Sequence, residues 1–418
     1  MRKFFMIFSL ITLWIYMGAI NLEQACEIGL KNNLDYRNTK NVQKNATVQK
    51  YQAYSNILPQ TSVIAAINRQ DEMSSKSYGY KIEQPIFQKG KIYYGIKQAE
   101  NNETLTQNNT KLSKLKLLSE IEKKYYNALR TKTQLKIAKK TLQQAKADRN
   151  KAEIRYKTGN ISKTDFLNFQ LNVSEKENTY LLYQNNYEIA LENLANYLNT
   201  KVNDIEKLNN LATMEEIDRL NEYSKKDKLR RLNQLLQKAN NTNINLKNSK
   251  INIKNSRINL KQSRLSFLPS VSLSAQKNWT KNEFQTEYQD SEQVGLNFSL
   301  ALFPLIDEGG NLIKNKHNLE NSKNEYKNLE NAVNTQIKTS FYNMLTAAKS
   351  IKTAEISIDQ AESLYEESKI KYKTGKISAN DLLKAAISLE NAKFQYADNF
   401  YDFLKQKANL KQLIPNLE

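Results

Sequence analysis

The chain has 418 residues, 39% apolar and 25% charged, with a formal net charge of +20 and a mean hydropathy of -0.70. Such polarity excludes a polytopic helical membrane protein, which needs about 20 consecutive apolar residues for every span. The excess charge is carried by lysines scattered along the chain among equally abundant asparagines, not by a basic block, so nucleic acid is not expected as a partner.

Residues 1–19 read as a signal peptide for export. Arg2 and Lys3 precede an apolar run from Phe4 to Met17, and Gly18 and Ala19 supply small residues for cleavage. An uncleaved N-terminal anchor is the competing reading, because Met17 fits poorly two positions before a cut at Ala19. Lipidation of Cys26 is disfavoured, since NLEQACEIGL is amphipathic where a lipidated cysteine is preceded by apolar and small residues. Cys26 is expected as a buried helix residue, and as the lone cysteine it forms no intrachain disulfide.

Beyond the signal, turns are scarce: the chain holds only 10 glycines and 5 prolines. Most gather in two clusters, Pro59, Gly79, Pro85, Gly90, Gly95 and Pro269, Gly295, Pro304, Gly309, Gly310. A first repeat is expected over 20–200. It runs as a helix, a β-hairpin at about 60–88 with a turn near Asp71 to Ser77, a long helix 91–157, a tip turn 156–162 and a helix 163–199. The 63 residues from Ile96 to Thr158 contain neither breaker, which is ~95 Å of helix. Leu115, Leu118, Ile121, Tyr125 and Leu129 recur there at helical spacing. That spacing alone does not separate a solvent-spanning coiled coil from a bundle in a larger assembly.

Residues 201–226 read as a polar equatorial linker. A second repeat follows over 227–414: a helix, a β-hairpin at about 270–303, a long helix 311–373, a tip turn 372–378 and a helix 379–412. PSVSLSAQKNW sets Val271, Leu273 and Ala275 against Ser270, Ser272, Ser274 and Gln276, and QVGLNFSLALF sets Val294, Leu296, Phe298 and Leu300 against Gly295, Asn297 and Ser299. The turn of this hairpin is expected over Lys281–Glu292. Such period-two alternation suits a transmembrane strand and equally a half-buried soluble hairpin. Trp279, Tyr78, Tyr80 and Phe303 suit either the bilayer interfaces or packing between strands. His317, the single histidine, falls in a polar helical run. With one His and one Cys there is no metal cluster and no hydrolase triad, so no catalytic residue, metal or cofactor is assigned and the chain is not read as an enzyme.

At an offset of 216 residues the chain repeats itself: YKTGNISKTDFL from Tyr156 matches YKTGKISANDLL from Tyr372, Gly159 meets Gly375 and Asp165 meets Asp381. Each glycine suits a left-handed helix cap. Each aspartate stands three residues after a serine, Ser162 or Ser378, in the spacing of a capping box.

These motifs, with LEQACEIGLKNNLDYRNTK near the start and QPIFQKGKI and LFPLIDEGGN after the hairpins, resemble those of TolC-like outer-membrane efflux proteins over nearly the whole mature chain. The resemblance implies a mainly α fold of long antiparallel helical hairpins with two β-hairpins per chain. In a homotrimer those hairpins form one 12-stranded β-barrel in the outer membrane, extended through the periplasm by a helical tunnel. It further implies a passive exit duct, in efflux or type I secretion. The tips around Tyr156, Gly159, Tyr372 and Gly375 then meet a periplasmic membrane-fusion adaptor and an inner-membrane efflux transporter or ABC exporter. In that family acidic residues near the tip constrict the tunnel mouth, positions matched by Asp165 and Asp381, while Lys384 replaces a second aspartate. Gate and cap are compatible roles for both aspartates. The rival reading from another class is a soluble periplasmic coiled-coil adaptor or structural protein.

Overall fold

The structure, a computed structural model, describes residues 19–70, 73–208, 211–282, 284–300, 305–415 and 417. The signal expected over 1–19 therefore lies outside the described residues except for Ala19, as do Asp71, Phe303 and Pro304. In chain order the elements are α1 (Leu22–Asn32), α2 (Leu34–Ser55), β1 (Gln60–Gln70), β2 (Met73–Phe87), α3 (Lys91–Lys157), α4 (Lys163–Leu198), α5 (Leu211–Asn221), α6 (Lys225–Thr242), α7 (Ile244–Leu265), β3 (Ser270–Asn282), β4 (Gln289–Ser299), α8 (Leu305–Lys373) and α9 (Ala379–Leu413). At ~1.5 Å per residue the 67 residues of α3 and the 69 of α8 are each roughly 100 Å long.

Each half begins with two helices where the sequence suggested one. Asn33 closes α1 with its N–H on Gly29 O at 2.9 Å and opens α2 by accepting from Tyr36 N–H at 2.9 Å. Asn243 does the same between α6 and α7, with its N–H on Ala239 O at 2.8 Å and its Oδ1 accepting from Leu246 N–H at 3.2 Å. An asparagine side chain competes with the backbone for such partners, which is why it ends one helix and starts another.

Three further boundaries shift. The linker read as polar holds α5, whose Ile217 and Leu220 are buried. Helix α8 runs through Gly309 and Gly310 and starts at Leu305, because two glycines cost only ~1 kcal/mol each against a helix with dozens of other residues. Both hairpin turns are shorter than expected: pairing reaches Gln70 opposite Met73 and Thr280 opposite Gln289.

The four strands form one antiparallel sheet in the order β1-β2-β3-β4, so β2 and β3 join the two halves while β1 and β4 remain edges. The helical core lies at the waist, where α1, α5 and α6 pack on the middles of α3 and α8 and the C-terminal parts of α4 and α9 around Ile121, Leu194, Ile217, Phe341 and Phe403. Ile20 and Ile205 form a parallel bridge there, and the Tyr125 hydroxyl lies 2.9 Å from the carbonyls of Ile20 and Glu206. Cys26 is half-buried against this core, less than the full burial expected, and burial pushes its thiol up to about 11. His317 is exposed on α8.

Candidate functional site: the paired helix turns and the sheet face

Both long helices end in the same turn. Gly159 N–H donates to Tyr156 O at 3.0 Å and Asn160 N–H to Arg155 O at 2.7 Å; Gly375 N–H donates to Tyr372 O at 3.1 Å and Lys376 N–H to Lys371 O at 2.9 Å. This pair of bonds defines a Schellman cap, and Gly159 and Gly375 meet its left-handed requirement at φ 73° and 71°.

The next helices restart two or three residues later. Ser162 Oγ accepts from Asp165 N–H at 3.0 Å, and Ser378 Oγ from Asp381 N–H at 3.2 Å. Asp381 completes the box, its Oδ2 accepting from Ser378 N–H at 3.3 Å and from the Ser378 hydroxyl at 2.7 Å. Asp165 receives only the Ser162 hydroxyl, at 2.9 Å. The bonds from the Ser378 side chain and backbone hold the Asp381 carboxyl below its ordinary value, and Lys384 one turn on adds to the effect. Asp381 and Lys384 are both exposed, side by side on the same helix face.

The two turns of one chain meet through a small apolar cluster of their own. Ala152, Phe169, Ala379 and Leu382 are buried, with Phe169 at 2% exposure. Phe169 packs on Tyr372 with centroids 5.8 Å apart, Tyr156 stacks on Phe166 at 5.3 Å, and the Arg155 guanidinium lies 5.0 Å from the Tyr372 ring centre. Desolvation raises the Tyr372 phenol, Arg155 opposes that, and Asp165 is near enough to add to it. Asp165 is half-buried, while Asp381 is exposed to solvent.

Sequence reasoning singled out Tyr156 and Tyr372 but missed Arg155, Phe166 and Phe169. A signal existed: at the 216-residue offset Phe166 and Phe169 fall on Leu382 and Ala385, all apolar at one helix spacing after the cap. Also missed was a buried ion pair further up, Lys176 of α4 with Glu390 of α9, to which the Thr141 hydroxyl of α3 donates at 3.0 Å. Duplication hides this pair, because the matching positions are Ala392 and Ser174.

At the far end of the molecule the sheet separates two surfaces. Register places Val63, Ala65 and Ile67 of β1, Tyr78, Tyr80 and Ile82 of β2, Val271, Leu273 and Ala275 of β3, and Val294, Leu296 and Phe298 of β4 on one face. The other face carries Ser62 and Asn68, Lys81 and Glu83, Ser272, Ser274 and Gln276, and Asn297. The apolar face is bare: Val63, Val294 and Phe298 are 83%, 77% and 68% exposed. From Val271 to Trp279 it extends roughly 26 Å at ~3.3 Å per residue, close to the apolar band of an outer-membrane barrel. Tyr78 stacks on Trp279 at 5.2 Å at its upper end, where Lys277 is neutralised by Glu292 and, at 3.4 Å, by Asp290. No described helix is long and apolar enough to cross a membrane.

The model of the outer membrane efflux protein family matches residues 27–200 and 235–415, one segment in each half. The chain belongs to the outer membrane efflux protein family. Comparison with curated proteins gives no match. Among solved structures, the efflux protein is similar to the CmeC outer membrane channel of Campylobacter jejuni, at 17% identity over 94% of this chain and 85% of that one, with a TM-score of 0.80. It is similar to the outer membrane protein VceC of Vibrio cholerae at 14% identity over 94% and 95% of the two chains, with a TM-score of 0.78. The MtrE outer membrane channel of Neisseria gonorrhoeae matches at 16% identity, 94% and 88% coverage and a TM-score of 0.78. The efflux protein is therefore an exit duct of the outer membrane whose helical part extends into the periplasm, and the soluble-adaptor reading is set aside.

Proposed function

We propose that three copies of this efflux protein close one barrel and one tunnel, and that the duct is passive and opened by partners at its tips. The sheet carries this reading. It has a bare apolar face, a polar opposite face and two unpaired edges, β1 and β4. An edge left open in lipid costs several kcal/mol per unsatisfied backbone group, so β1 of one chain pairs with β4 of the next until the ring closes. Four strands from each of three chains gives twelve, the number implied by the sequence resemblance.

Lumen-facing Ser, Asn, Gln and Lys offer no pocket shaped for one substrate, which fits a duct that leaves selection to its pump. The tips, held by caps and a small apolar cluster, suit docking by a periplasmic membrane-fusion adaptor that couples the duct to an inner-membrane efflux transporter or ABC exporter. Around a threefold axis, three Asp381 carboxylates narrow the resting mouth and attract cations, and the adjacent Lys384 weakens that ring.

Single-channel recording in a planar bilayer tests this directly. Wild type is expected to give small, cation-selective openings blocked by a trivalent cation, and Asp381→Ala larger openings with weaker block. Equal conductance and block in the two proteins would overturn the acidic mouth; failure of folded wild type to insert at all would overturn the barrel.

A further inference from the structure

Two clefts along α3 remain without a role. One, of about 650 Å³, lies where the connector 199–208 crosses α3 and is walled by Leu129, Tyr187, Tyr396, Phe400 and Tyr401. The other, of about 520 Å³, continues toward the tips between α3, α4, α8 and α9. Thr133 and Lys136 line both, so they are adjoining chambers of one groove.

Lysines converge on the junction. Lys136 and Lys139 of α3 and Lys207 of the connector line the upper cleft, and Lys140 the lower one. Among the described residues none of these four lies within ion-pair distance of a carboxylate, whereas Lys123 and Lys132 of α3 bond Glu120 and Asp204. The carboxylates that line the groove are already paired with other lysines, Asp148 with Lys151 and Glu366 with Lys369 at its lower end. Asp204 takes Lys132, the Tyr187 hydroxyl and Ile205 N–H; Glu390 takes Lys176; Glu362 takes Lys393 at 3.7 Å. The Lys136 ammonium is close enough to that of Lys207, and then of Lys140, to be depressed by them. Like charges gathered without counter-charge beside an aromatic wall lack one component.

We infer that this groove binds a small amphiphilic organic anion, its phosphate, sulfate or carboxylate head between Lys136 and Lys207 and its apolar body along Tyr396, Phe400 and Leu208. The recognition follows from general chemistry: a charge-assisted contact to each ammonium, and apolar burial in a cleft large enough for one ring system or short acyl chain. A bound anion touches α3, α9 and the connector together, so it braces the two halves at the waist.

Isothermal titration of the full-length, detergent-solubilised protein at low ionic strength tests the assignment with 1-naphthyl phosphate, 1-naphthol and inorganic phosphate as probes. Naphthyl phosphate is expected to bind and the other two to bind far more weakly. Lys136→Gln with Lys207→Gln should weaken it by about tenfold or more, the loss expected for two charge-assisted contacts. A control pair, Lys111→Gln with Lys316→Gln, removes the same charge outside the groove and should leave affinity unchanged. Equal weakening in both pairs would mean diffuse surface attraction and overturn the site. Equal binding of inorganic phosphate would overturn the amphiphilic class, and no binding to wild type would overturn the inference outright.

Discussion

Glu390→Ala removes one member of a buried ion pair that ties α4 to α9. Glu390 is 4% exposed and the Lys176 side chain 13%, so solvent screens the pair little. Breaking a buried pair from one side costs about 3–5 kcal/mol, because the remaining charge stays in a low-dielectric site. Lys176 borders the 520 Å³ cleft and its ammonium can swing toward water there, which places the expectation near the lower end, about 3 kcal/mol. Replacing both partners behaves differently. In Lys176→Met with Glu390→Leu no charge is stranded, and the Thr141 hydroxyl has an alternative acceptor in Ala138 O, 3.0 Å away. That double variant should lie within about 1 kcal/mol of wild type. Hydrogen exchange read by mass spectrometry on peptides around 176 and 390 is the assay, since it reports local opening without requiring that a chain of this size unfold in two states. At ~1.4 kcal/mol per factor of ten, Glu390→Ala should speed exchange there by about two orders of magnitude and leave peptides of α2 and α7 unchanged. Unchanged protection in the single variant, or equal loss in single and double, would refute the account of a pair that holds the hairpins together.

The glycines give predictions of opposite sign from equally open surroundings. No atom stands within 4 Å of a Cβ built at Gly375 or at Gly310, yet Gly375 has φ 71° and Gly310 lies inside α8. Gly375→Ala should therefore loosen the tip by about 1 kcal/mol, and Gly310→Ala should stabilise its helix by about 0.5–1 kcal/mol, both readable as proteolytic nicking rates at the respective segments. Asp381 sets a pH dependence. Its folded pKa lies below the unfolded value near 3.8, so its contribution is present above that value and lost as pH falls through the lower folded one. Exchange at the first turn of α9 should rise as acid is added below about pH 4 in wild type but not in Asp381→Asn; the same acid response in both would refute the cap.

Much of this architecture is written in local chemistry. Ser-x-x-Asp after a glycine dictates a stop and a restart, scarcity of breakers dictates two long helices, and period-two alternation at Val271–Ala275 and Val294–Phe298 dictates strands with one apolar face. These patterns act within a few residues, so they are legible one segment at a time, and their recurrence at 216 residues exposed the duplication. The asparagine breaks at Asn33 and Asn243 were equally local, but asparagine is so common in this chain that two among many carried no signal.

What only the folded chain decided is which distant groups share a volume. Phe169 on Tyr372, Lys176 on Glu390, and Lys136 beside Lys207 join residues 203, 214 and 71 positions apart, and these pairings depend on how α3, α4, α8 and α9 rotate about their axes when they pack. A helix of ~100 Å turns through many periods, and an amphipathic stripe fixes its rotation only loosely, so the partners across the groove are set by side-chain interdigitation rather than by spacing along the chain. Pairing of β2 with β3, which makes one sheet of two hairpins, is likewise a tertiary choice: each hairpin satisfies its own inner edge, and only their juxtaposition decides that β1 and β4 remain for a neighbour.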